Sequence, residues 1–140
     1  MLAPWSNSGT GLGIRISSSG SVGIGTSNTY SYMLAVNGSA IFTQAVVKLN
    51  ANWPDYVFKK EYQLPSLKSV EEYVRTNNHL PGLPSADSVQ KGGLDLGSTQ
   101  AKLLEKIEEL TLYTIELQKQ VEKLEGLRKR IDELEELIKK

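Results

Sequence analysis

Glu108 to Leu117 reads EELTLYTIEL, and its apolar residues do not fit the narrow stripe that the surrounding sequence sets up. With Leu103 at heptad position d, Ile107 falls at a, Leu110 at d, Thr114 at a, Leu117 at d, Val121 at a and Leu124 at d, and Leu96 lies one heptad earlier. Most of the remaining positions are Glu and Lys, the pattern of a helix that buries one seam against other helices. Leu104 at e, Leu112 at f, Tyr113 at g and Ile115 at b lie off that seam. A helix that is apolar nearly all round is covered on its outer side as well. Beyond Gln118 the b and f positions turn polar, so the covering is expected to stop there.

The spacing predicts a helix over 98–140, capped by Ser98 and roughly 60 Å long at 1.5 Å per residue. From Leu124 to Leu127 the step is three residues, after which Leu127, Ile131, Leu134 and Ile138 restore the repeat. Such a stammer overwinds a supercoil locally, and Gly126, a poor helix former, lies inside it. One helix cannot bury a stripe of this length alone, so the chain is expected to associate with copies of itself. Heptad rules by themselves leave two and three strands both open.

Composition divides the chain into three. Residues 1–49 are rich in Gly, Ser, Thr and Asn, and Arg15 is the only charged residue before Lys48. Leu12, Ile14 and Ile16 alternate, as do Val22 and Ile24 within GSVGIGT. MLAV (33–36) precedes an Asn-Gly turn pair, and Ile41, Thr43, Ala45, Val47 and Leu49 alternate again. These patterns predict short β-strands separated by tight turns, which bury themselves against copies of the chain. GLGI and GSVGIGT match neither glycine-rich phosphate-loop pattern, so their glycines read as turn residues. Residues 50–97 form a compact middle segment. NWPDYVF supplies an apolar anchor, Leu67, Val70 and Val74 follow Ser66 at helical spacing, HLPGLPS is a rigid irregular stretch, and Ser85 to Gln90 is a turn or short helix.

Function classes narrow on the same grounds. Sixteen basic and sixteen acidic residues cancel, which argues against nucleic-acid binding. There is no cysteine, and no apolar run approaches the roughly 18 residues needed for a membrane span. The first residues have neither the basic start nor the apolar core of a secretory signal. His79, the single histidine, reads as a structural residue. Glu108-Glu109 and Glu135-Glu136 read as solvated carboxylates on an exposed helix, where acid–base catalysis has no desolvated cleft. No catalytic, cofactor-binding or metal-ligating residues are expected.

WPDYVFKKEYQLPSLKSVEEYV, NNHLPGLPSADSV and AKLLEKIEELTLYTIELQKQ together resemble the C-terminal module of tail-fibre-domain proteins of Bacteroidetes and their phages. VGIGT followed by MLAVNGSA is similar to the β-repeat upstream of that module. The resemblance covers roughly residues 20–120 and departs at GSTQ (97–100), where Gly-Glu-Met-Asn is expected. It implies a mixed β + α, fibrous fold: an intertwined β-rich trimeric shaft, a small α+β middle domain and a parallel three-stranded coiled coil. It also implies a non-enzymatic homotrimer, located outside the cell or on a virion, whose C-terminal module drives trimerisation and shaft folding. No Ser-Asp-x-Arg-x-Lys-like run is present, so the self-cleavage of endosialidase-type chaperone domains is not implied. Two other readings are a receptor-binding adhesin for a surface glycan or protein, and a polysaccharide-acting fibre tip. The seam residues from Leu96 to Ile138 are then the interface between chains. Trp53, Tyr56 and Phe58, with the HLPGLP segment, are expected to fold over Leu104, Leu112, Tyr113 and Ile115.

Overall fold

The computed structural model describes residues 13–48 and 53–139. The chain divides into two compact units, Met1–Val46 and Val47–Lys140.

The first unit holds one small sheet of three strands, β1 (Ile14–Ile16), β2 (Val22–Ile24) and β3 (Leu34–Val36), in that spatial order. β1 and β2 are antiparallel, joined by a serine turn. Ser17 N–H donates to Ser21 O at 2.9 Å, and Gly20, at φ +85°, takes the left-handed position. β3 then pairs parallel to β2. A parallel return usually needs a dozen residues or more, but strands of three residues let residues 25–33 suffice. Side chains shape this loop: Thr26 Oγ1 accepts from Asn28 N–H and Asn28 Oδ1 from Tyr30 N–H, both at 3.0 Å. Tyr30 and Ser31 both have positive φ in the turn that Tyr32 N–H closes onto Thr29 O.

Gly23 is required by close approach, since a Cβ there would lie 2.3 Å from the Thr26 carbonyl oxygen. Register places Ile14, Ile24 and Val36 in one row and Ile16, Val22 and Leu34 in the next, so six aliphatic side chains share one face of the sheet. Five of the six are exposed within the single chain.

The second unit is helical. A 3₁₀ turn (Pro54–Phe58) is followed by α1 (Leu67–Asn77), α2 (Ala86–Gly92) and α3 (Leu96–Ile138). Pro54 starts the 3₁₀ turn, where its missing N–H costs nothing. Ser66 and Ser85 cap α1 and α2 by accepting from the third N–H beyond. Asp95, not Ser98, caps α3. Its carboxylate accepts the Ser98 N–H at 2.7 Å, so the helix begins at Leu96. No helix among the described residues is long and apolar enough to cross a membrane.

This architecture corrects the expected fold class. The protein is a small three-stranded sheet with three α-helices, one of them long, and not a fibrous fold with an intertwined β-rich shaft. The reason lies in the connections: a serine turn folds β1 back on β2, and the 25–33 loop returns β3 parallel beside β2, so ladder bonds close within one chain and over short separations. The alternating run expected as a strand over 39–49 is irregular over 39–48, and Leu49 lies outside the described residues, as does Leu12. The middle segment has no strand among described residues 53–97, so the α+β expectation gives way to helices and turns. Of the expected three-stranded coiled coil, the structure contains one long helix.

Candidate functional site

The 3₁₀ turn packs against the first third of α3. Val57, at 1% exposure, and Pro54 are the fully buried side chains of this contact. Trp53 and Phe58, the larger aromatics, remain about half exposed, and Tyr56 is half-buried. The segment from Pro54 to Pro65, here called the strap, is then held by three tyrosine hydroxyls. Tyr56 OH donates to Glu105 Oε2, Tyr62 OH to Glu109 Oε1 at 2.5 Å, and Tyr113 OH to the Pro65 carbonyl at 2.5 Å. The α3 partners 105, 109 and 113 recur every four residues and so share one face. The strap partners 56, 62 and 65 rise in the same order, so strap and helix run in the same direction.

Charge fills the space beneath the strap. Lys106 Nζ lies 2.9 Å from both Glu109 oxygens and 3.1 Å from Glu105 Oε1. Burial alone would raise the Glu105 carboxyl, but the Tyr56 hydrogen bond and Lys106 outweigh it and hold it below the usual carboxylate range. Burial likewise opposes the charge on Lys106, and Glu109 and Glu105 together still hold its ammonium above its ordinary value. The Tyr56 phenol is pushed up to about 12, first by its bond to Glu105 and then by burial. Tyr62 rises through burial and its bond to Glu109. These residues contradict the expectation of solvated carboxylates at Glu108-Glu109, which are only 7% and 5% exposed. Glu135 and Glu136 lie on the open part of the helix, with Lys139 3.7 Å from Glu136.

The covered face of α3 therefore carries Leu104, Glu105, Lys106, Glu108, Glu109, Leu112 and Tyr113, all buried or half-buried, while Ile115 is exposed. From Thr114 to Lys139 every residue is exposed. The opposite face holds the heptad stripe. Leu96, Leu103, Ile107, Leu110, Leu117, Val121, Leu124, Leu127, Ile131, Leu134 and Ile138 range from 41% to 84% exposed in the single chain. Thr114 on that stripe donates its hydroxyl to the Leu110 carbonyl at 2.8 Å, which satisfies its polar atom within its own helix. Over 104–113 the chain thus covers a mixed charged and apolar face of the helix and leaves the aliphatic stripe bare.

Sequence reasoning did not single out Tyr62, Pro65, Glu105 or Lys106. The signal available was the i, i+4, i+8 spacing of Glu105, Glu109 and Tyr113, which marks one face. The HLPGLP segment keeps its hydrogen bonds local. His79 Nδ1 donates to the Leu80 carbonyl at 3.0 Å, and its ring meets Tyr73 edge-on at 5.6 Å. Among the described residues no group of three or more His, Cys, Asp and Glu could hold a metal ion. No family model matches the chain, and no curated protein or solved structure matches it.

Proposed function

We propose that the chain is a non-enzymatic, tail-fibre-like structural protein that works as a homotrimer, with α3 holding three copies together. One observation carries this reading: an aliphatic stripe at heptad spacing, broken once between Leu124 and Leu127, runs bare along α3, while the same chain covers the other side of the helix over 104–113. Fully burying one Val, Leu or Ile side chain contributes roughly 1.5–3 kcal/mol. Eleven such residues on one 43-residue helix make a solvated single helix the unfavourable state. The bare aliphatic face of the sheet is a second apolar surface on the same chain. The number three rests on the tail-fibre resemblance, and the working location it implies is outside the cell or on a virion.

Solution mass is the test. Association predicts three times 15.4 kDa for the native chain. Ile107→Lys with Leu110→Lys should give the monomer mass. Both side chains are more than half exposed in the single chain, so the change spares the strap contact. A native chain that sediments as a monomer at all concentrations refutes the reading.

A further inference from the structure

Glu108 is more than nine-tenths buried, yet its Oε2 meets no hydrogen-bond donor among the described residues. Its neighbours on α3 are served: Glu105 has Tyr56 and Lys106, and Glu109 has Tyr62 and Lys106. The donors Tyr56, Tyr62 and Lys106 are thereby committed to Glu105 and Glu109. What faces Glu108 is negative charge, from Asp55 in the first turn of the strap and from Glu105 one turn back on α3. A buried carboxylate oxygen without a donor, with two like charges acting on it, is an unfavourable arrangement that one proton eases by removing the charge.

We propose that Glu108 is an acid-operated latch: protonated, it lets the strap seat firmly on α3, and ionised, it pushes the strap outward. Protonation cancels the repulsion from Asp55 and Glu105 and removes the burial of an unpartnered charge. Burial raises the Glu108 carboxyl above its ordinary value of 4.5, and Asp55 and Glu105 raise it further. A folded value above the unfolded one means that the stabilisation is fully present below about 4.5 and is lost as pH rises through the folded value. Glu105, held low by Tyr56 and Lys106 against its own burial, stays ionised through that window, so one group throws the latch. The strap partners on α3 are none of the stripe residues, so the latch shares no side chain with the proposed seam.

The experiment uses the full chain. The carboxyl of Glu108 is titrated by NMR while Val57 methyl and Trp53 indole shifts report strap seating. In the native chain Glu108 should titrate above 4.5, and both reporters should move with the same midpoint. Glu108→Gln, an uncharged isostere, should hold the strap seated at neutral pH and abolish that pH dependence. Asp55→Asn should lower the Glu108 midpoint and tighten the strap in part. A native Glu108 midpoint at or below 4.5, reporters that ignore it, or an E108Q chain that keeps the wild-type pH response each overturns the proposal. Calcium that seats the strap at neutral pH in the native chain, and not in E108Q, also overturns it, because a cation would then be the missing partner.

Discussion

Val57→Ala tests whether the strap is a docked element with its own stability. Val57 is 1% exposed and, with Pro54, makes up the fully buried part of the contact. Removing two methyl groups loses about 1.6 kcal/mol of transfer free energy at ~0.8 kcal/mol per group. A residual cavity beneath a short strap adds a smaller term, for a total of about 2 kcal/mol. At 1.4 kcal/mol per decade, the ratio of undocked to docked strap should rise about 30-fold. Amide hydrogen exchange reads this directly. Protection over residues 54–65 should fall by that factor, while protection over 114–138 is unchanged because the strap covers nothing there. Equal loss of protection along all of α3 would mean that strap and helix are one cooperative unit. Unchanged protection at the strap would mean that Val57 anchors nothing. Either result refutes the reasoning.

Three further outcomes follow from single features. Gly23→Ala puts a Cβ 2.3 Å from the Thr26 carbonyl oxygen and should destabilise the small sheet by roughly 1–3 kcal/mol, read as a lower denaturation midpoint of the first unit alone. Gly126→Ala meets no atom within 4 Å and should stabilise α3 by about 1 kcal/mol, read as a higher melting temperature by circular dichroism. At high pH the Tyr56 phenol, raised from 10.0 to about 12 by Glu105 and burial, contributes stability that is present below pH 10 and is lost as pH rises towards 12. Tyrosinate absorbance should show late-titrating phenols, and Tyr56→Phe should reduce their number by one while Tyr62 still titrates late.

The long helix was legible because its stripe repeats over many heptads, and the cap at Ser66 because a serine precedes a helical pattern; at Ser85 the sequence showed a turn or short helix but not the cap. Asp95 was not legible as the α3 cap, since Ser98 suits the role equally well by residue type and only the backbone decides. The β triplets around Ile14, Val22 and Leu34 were readable from alternation. Over described residues 39–48 the alternation does not form a strand, because period two records a face only where a partner strand exists. The expected shaft failed at the connections, a serine turn and the 25–33 loop, which close both strand pairs within one chain. Glu105 and Glu109 were illegible as clasp residues because on a heptad helix they look like any solvated carboxylate. The tyrosines that claim them lie 49 and 47 residues away. Val57 and Pro54 stood behind Trp53 and Phe58 because area, which favours aromatics, does not say which side chain points inward.

The common direction of strap and α3 has a mechanical consequence. Each of the three hydroxyl bonds joins residues a nearly constant distance apart in sequence, 49, 47 and 48. Tension applied along the helix axis between the strap and α3 therefore loads all three bonds at once, in shear, and they share it. Tension that lifts Pro54 away from the helix reaches them in turn, and the strap peels. The same contact is strong to a pull along the helix and weak to a pull across it.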